Sequence, residues 1–281
     1  KGLIACDLVG FHLQRYCNNF IECVQRTFGE KSADGPNFPR VEPFPISIDV
    51  EEMDRMSRSA GVMQRIRQME KDYNLHGKTI GCGVERLDYT KGIPERLESL
   101  EILFEMYPKY CGNFTFLQVC SPSRGEIAEY KAVKERVVEL TERINKKFGT
   151  RGWKPLIVFH QKVLFETILA MYRMADLAIV SPLVDGMNLV AKEFIAAQVD
   201  ERGVLVLSQF AGAARALKNV IICNPYERDT FANCIKEALD MEKDKKMEMI
   251  CLARKELRSH TVFDWVQQFL KAATETASKK S

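Results

Sequence analysis

Histidine is scarce in this chain: four in 281 residues, none at metal-ligand spacing, which leaves little material for a metal centre. No C-x-x-C occurs among the nine cysteines (Cys6, Cys17, Cys23, Cys82, Cys111, Cys120, Cys223, Cys234, Cys251). Their odd count, and the apolar segments that hold most of them, argue against a disulfide frame or a zinc site. They read as reduced, buried thiols of a cytosolic protein. No apolar run approaches the roughly 20 residues that span a bilayer, and no secretory signal opens the chain. The net charge is only +3 and is spread along the sequence, so nothing supports the concentrated basic face of a nucleic-acid binder. What is present is an ordinary soluble composition, 46% hydrophobic and 28% charged. The length suffices for one large core or two smaller ones.

Short apolar runs rich in Val, Ile, Leu and Phe recur at 3–11, 41–47, 78–84, 113–120, 155–160, 176–182, 203–208 and 219–224. Their near-continuous apolarity suits strands covered on both faces. Amphipathic stretches of helical period lie between them, at 50–74, 93–107, 126–147, 164–175 and 228–241, and 243–279 reads as helical throughout. Such alternation predicts a doubly wound, mostly parallel α/β sheet of Rossmann-like type. A proline-punctuated exit, "PFPISID", followed by a charged helix, marks a break near residues 43–77. The chain therefore reads as the tail of one Rossmann-like domain followed by a whole second one.

Sheets of this kind bind ligands beyond the carboxyl ends of their strands, so the post-strand loops carry the candidates. In "GVERLDYTKGIPER" (83–96), Arg86 and Lys91 could grip a diphosphate, one as a planar fork and one as a point charge. A solvated loop with Arg86 paired to Asp88 satisfies the same residues. In "SPLVDGMNLVAKEF" (181–194), Asn188 is a candidate N-cap and Gly186 admits close backbone approach. The N–H groups near Met187, Leu189 and Val190 would face an anion. Asp185 and Glu193 flank that seat as hydroxyl acceptors, which suits a sugar nucleotide. A plain capped helix, with Glu193 paired to a neighbouring lysine, remains the alternative. Arg124 in "SPSRGE" is a candidate for a second phosphate, and Gly212 in "SQFAGAARAL" for a close approach at a helix start.

Together these segments resemble the trehalose-6-phosphate synthases of glycosyltransferase family 20. The matching motifs run in order: "DLVGFH" (7–12), "FPISID" (44–49), "VERLDYTKGIPER" (84–96), "SPSRGE" (121–126), "DGMNLVAKEF" (185–194), "GVLVLSQFAGAA" (203–214) and "NPYERD" (224–229). The resemblance implies a retaining GT-B enzyme that moves glucose from UDP-glucose to glucose 6-phosphate, giving trehalose 6-phosphate and UDP. It implies that Arg86 and Lys91 hold the donor diphosphate and, with Asp185, form the catalytic set. Asp185 would take glucose hydroxyls beside the backbone of Gly186, Met187 and Asn188. Leu189 and Val190 would meet the diphosphate, and Glu193 the ribose. The backbone near Val163 would read the uracil, and Arg124 the acceptor phosphate. No cofactor or metal is implied, and no membrane or nucleic acid. A homo-oligomer or a complex with a trehalose-phosphatase subunit is the implied assembly, in the cytoplasm.

Two departures qualify this. Val184 stands where the family commonly has Arg. The family's N-terminal glycine-rich loop, acceptor aromatics and "HIPFP" histidine would precede residue 1. The expected organisation is 1–49 as a remnant of the acceptor domain, 50–259 as the donor domain, and 260–281 as a helix crossing back. Such a chain, alone, is expected to be inactive. The stripe Val262, Trp265, Val266, Phe269, Leu270 is expected to be partly uncovered, Trp265 and Phe269 above all. Glucosylglycerol-phosphate synthase, or a non-catalytic sugar-nucleotide-binding regulatory domain, are the alternative readings.

Overall fold

The computed structural model describes residues 2–33, 35, 37–122 and 128–280. The chain divides into two compact units, residues 1–49 with 259–281, and residues 50–258.

In the first unit, β1 (Leu8–Phe11) pairs in parallel with β2 (Arg40–Pro43), and α1 (Gln14–Phe28) lies between them in sequence. The expected strand over 3–11 is shorter than its apolar run. Cys6 donates its N–H to the Leu3 carbonyl at 3.3 Å, closing a turn, and the ladder starts only at Leu8 opposite Arg40. The second strand ends at Pro43, and Phe44 makes the last bond to its neighbour, donating its N–H to the carbonyl of Phe11, where β1 also ends.

The helix α10 (Val262–Lys280) packs its Phe269 ring on Phe44, centroids 5.1 Å apart. Trp265 stacks on Phe269 and donates its indole N–H to the Phe44 carbonyl at 3.1 Å. This corrects the expectation that Trp265 and Phe269 are the exposed members of the stripe. An indole N–H needs an acceptor, and finding one turns that face inward. The apolar residues left outward are Phe263, Val266 and Leu270, at 64%, 40% and 60% exposure.

The second unit holds a six-stranded parallel sheet of order β5-β4-β3-β6-β7-β8. Its strands are β3 (Thr79–Arg86), β4 (Phe114–Ser121), β5 (Leu156–Phe159), β6 (Leu177–Val180), β7 (Val204–Ser208) and β8 (Ile221–Cys223). Its helices are α2 (Val50–Ser57), α3 (Ala60–Asp72), α4 (Ile93–Met106), α5 (Ala128–Phe148), α6 (Phe165–Met174), α7 (Leu189–Ala197), α8 (Arg228–Asp240) and α9 (Lys243–Arg258). The expected single helix over 50–74 is two. Ser59 breaks it by taking extended geometry and accepting the Val62 N–H as an N-cap.

Side chains alternate across a strand. Phe114 and Phe116, Leu177 and Ile179, and Val204 and Val206 join one core with Leu97, Leu100 and Phe104 of α4, Val137 and Leu140 of α5, and Phe231 and Ile235 of α8. The intervening Leu117, Val119, Ala178, Val180, Leu205 and Leu207 are buried as well. Both faces of the sheet are therefore covered, as the apolar runs require. Among the described residues no helix is long and apolar enough to cross a membrane.

All nine cysteines are free. Cys17, Cys82, Cys120 and Cys223 are buried, but Cys6 and Cys23 are exposed, so the expectation of buried thiols holds only in part. Burial, with the nearby Glu85 charge, pushes the Cys120 thiol up to about 12, far from the thiolate form that reacts.

Candidate functional site

The adjacent strands β3 and β6 lead away in opposite directions, β3 through α4 to β4 and β6 through α7 to β7. Such a reversal opens a crevice beyond the carboxyl ends of the two strands, where doubly wound sheets take their ligands. Two loops border it, 87–92 and 181–188.

The first loop is built around Asp88. Its carboxylate accepts the Thr90 N–H at 2.9 Å, the Thr90 hydroxyl at 2.8 Å and the Tyr130 hydroxyl at 3.3 Å. Burial pushes this carboxyl up, but the three bonds outweigh it and hold the pKa below the ordinary value. Asp88 thereby caps a short 3-10 turn, Tyr89–Lys91, that ends on Gly92 in the left-handed conformation (φ 62°). A Cβ at Gly92 would lie 2.1 Å from the Ser181 carbonyl oxygen, so only glycine lets the loops approach this closely. Leu183 donates its N–H to the Thr90 carbonyl at 2.8 Å and so ties them together.

This places the Lys91 Nζ 2.6 Å from Asp185 Oδ2, with both side chains largely buried, 18% and 13% exposed. Asp185 also accepts the Met187 N–H at 3.2 Å and the Asn188 side-chain amide at 3.1 Å. Behind it, Gly212 donates its N–H to the Asp185 carbonyl at 3.1 Å, and a Cβ there would lie 2.1 Å from the Gly186 oxygen. The helix expected after residue 208 is only a 3-10 turn, Gly212–Arg215, because Gly212 is held against 185–187.

Asn188 caps α7 as expected, its Oδ1 accepting the Ala191 N–H at 3.3 Å from a positive φ of 74°. Leu189 and Val190 open the helix, where no preceding turn exists to take their N–H groups. Glu193 lies one turn in and accepts the Tyr172 hydroxyl at 3.2 Å. Burial raises its carboxyl above the ordinary value even though Tyr172 pulls the other way.

Lys91, Asp185, the 186–190 backbone and Glu193 thus share one loop-and-helix corner. Arg86 ends β3 opposite Ser121 of β4, with its side chain 62% exposed and Asp88 at 4.0 Å, a loose pairing. Val163 sits half-buried on the loop after β5, at the same end of the sheet, and Val184 is exposed. Arg124 lies outside the described residues. Near Arg86, a pocket of about 290 Å³ opens among Leu87, Cys120, Pro122, Tyr130 and His160. Among the described residues no group of three or more His, Cys, Asp or Glu could hold a metal ion.

A buried network beneath the crevice escaped the sequence reading. Arg96 of α4, with no exposed surface, grips both oxygens of Glu85 at 2.6 and 2.8 Å, Gln118 at 2.8 Å and the Ser181 hydroxyl at 3.1 Å. Ser181 passes its proton-side bond to the Gly92 carbonyl at 3.2 Å. A Cβ at Gly83 would lie 2.2 Å from the Arg96 guanidinium, so that glycine makes the room. The network pins the ends of β3, β4 and β6 to the start of α4, directly behind Lys91. Its only trace in the sequence is a charge inside an apolar strand, Glu85.

The family model for glycosyltransferase family 20 matches residues 1–275. The chain belongs to glycosyltransferase family 20. Its relatives include the alpha,alpha-trehalose-phosphate synthase [UDP-forming] 56 kDa subunit of Saccharomyces cerevisiae, 36% identical over 100% of this chain. The family 20 chain spans 57% of that relative's length. An E. coli structure described as trehalose-6-phosphate bound with UDP-2-fluoro glucose superposes with a TM-score of 0.87 at 32% identity, covering 95% of this chain and 60% of its own. The N-terminal domain of Candida albicans trehalose-6-phosphate phosphatase reaches a TM-score of 0.90 at 31% identity, covering 98% of this chain and 59% of its own. The fold is therefore the Rossmann-like α/β of GT-B type that family 20 shares. Since a protein of another name carries it too, the chemistry has to be argued from side chains.

Proposed function

We propose that this chain binds UDP-glucose and provides the donor side of glucosyl transfer to glucose 6-phosphate, yielding trehalose 6-phosphate and UDP with retention. The observation that carries the reading is the Lys91–Asp185 corner at the sheet's reversal point, set against the open N-terminus of α7. A cation and unpaired helix N–H groups suit a diphosphate. Carboxylates beside them, Asp185 and Glu193, suit the hydroxyls of a hexose and a ribose. Arg86, exposed at the end of β3, is free to swing onto the outer phosphate face. The uracil would enter the pocket by Leu87 and His160, with the Val163 backbone at its edge. Arg124 for the acceptor phosphate rests on the motif alone.

In this mechanism the leaving diphosphate gains negative charge as the glycosidic bond opens. Lys91, Arg86 and the α7 dipole stabilise that charge without a metal ion. Asp185 orients the sugar. The proposal places the reaction in the cytosol, in keeping with nine free thiols. Calorimetry with UDP-glucose, UDP and uridine, in the presence of EDTA, tests it. Both diphosphates should bind and uridine far more weakly. Strict dependence on a divalent metal, or equal affinity for uridine and UDP, would sink the reading.

A further inference from the structure

The same ammonium that is offered to a diphosphate is already held by a carboxylate. Lys91 Nζ lies 2.6 Å from Asp185 Oδ2, and neither side chain has much access to water. The ammonium has three N–H donors, but its single positive charge cannot neutralise both Asp185 and a phosphate. We infer that Asp185 is a specificity residue that favours a sugar-bearing nucleotide over the bare diphosphate, because ligand binding exchanges its lysine partner for sugar hydroxyls. This rests on the reading that the corner binds a nucleoside diphosphate sugar.

When the diphosphate arrives, Lys91 turns from Asp185 to a phosphate oxygen. Asp185 does not follow, because the Met187 N–H at 3.2 Å and the Asn188 amide at 3.1 Å keep its carboxylate in place. Nor can its backbone retreat, since its carbonyl holds Gly212 at 3.1 Å and its N–H meets Phe210 at 3.3 Å. A fixed, partly buried carboxylate then faces a new anion. Like charges at such range are costly in a site with little water. With UDP-glucose the hexose hydroxyls donate to Asp185 and compensate it. With UDP nothing does. The carboxylate thus opposes the product diphosphate more than the substrate, which helps the product leave once glucose has been transferred.

The test is calorimetric titration of the full chain with UDP and with UDP-glucose, comparing wild type, Asp185→Asn and Lys91→Met. Asparagine keeps the shape and one acceptor but removes the charge. Asp185→Asn should bind UDP about tenfold more tightly than wild type, a shift of about 1.4 kcal/mol. It should also lose the preference for UDP-glucose over UDP. Lys91→Met should weaken both ligands, which checks the site independently. If wild type binds neither ligand, the site reading fails and the exchange with it. If wild type binds UDP, Lys91→Met weakens it, and Asp185→Asn binds UDP no better, the reading stands and the exchange is overturned. Should Asp185→Asn fail to fold by circular dichroism, ¹⁵N-lysine NMR of the wild type decides. The Lys91 ammonium signal, assigned by its loss in Lys91→Arg, must move when UDP saturates the site. An unmoved signal overturns the exchange.

Discussion

At the scale of single residues, exposure separates two cations that look alike in sequence. Arg86 is 62% exposed and Lys91 18%. Removing a charge-assisted bond costs about 1.5–3 kcal/mol, with the larger values where water is excluded. Lys91→Ala should therefore lose more UDP affinity than Arg86→Ala, and both should leave uridine binding nearly unchanged. Calorimetry reads both, and the opposite ranking would mean that Arg86 carries the phosphate alone. Glu193 offers a second test through pH. Burial raises its folded pKa above the ordinary 4.5, so the folded state holds its proton to higher pH than the unfolded chain does. Stability from this group is present at low pH and falls as pH rises through the raised value. Glu193→Gln does not titrate. Across urea unfolding curves between about pH 4 and 8, wild type should lose stability relative to Glu193→Gln as pH rises. A pH-independent difference would mean that Tyr172 and solvent fully compensate the carboxylate.

Elements show how the residues are held. Arg96 joins β3, β4, β6 and α4 through one guanidinium. Arg96→Met would leave Glu85 charged, buried and short of its partner, a loss of about 3–5 kcal/mol. Adding Glu85→Met should recover most of that, because replacing a whole buried pair is far cheaper than breaking it. Denaturant unfolding measures both, and a double variant as unstable as the single one would assign the loss to packing. On α10, Phe263→Lys with Leu270→Lys should change stability by no more than about 0.5 kcal/mol, since both residues face outward.

The strands were legible because apolar runs covered on both faces leave a strong local signal, as "FTFLQVC" does for β4. Lys91, Asp185 and the Asn188 cap were legible because each sits at a strand end or helix start, where residue type speaks locally. The Arg96 network was not, since its partners Glu85 on β3, Gln118 on β4 and Ser181 just past β6 meet only in the folded sheet. The same reason hid the Tyr172–Glu193 bond. The split between α2 and α3 was missed because Ser59 looks like one more polar-face residue until its side chain turns to the backbone. Trp265 was misjudged because an apolar stripe does not say which of its sides has an acceptor to meet.

On the scale of the whole molecule, the sheet order opens a crevice between β3 and β6, and that is where we propose the chemistry lies. If Lys91, Arg86 and the α7 N-terminus neutralise the diphosphate, UDP-glucose affinity in EDTA should match that in millimolar Mg²⁺ by calorimetry. The central claim is that this crevice holds the diphosphate, and a crystal structure of the chain with UDP tests it most directly. The diphosphate is expected at the start of α7, within hydrogen-bond reach of the Leu189 and Val190 N–H groups, with Lys91 drawn off Asp185 and onto a phosphate. UDP found elsewhere, or bound there with the Lys91–Asp185 pair intact and no contact to α7, would contradict it.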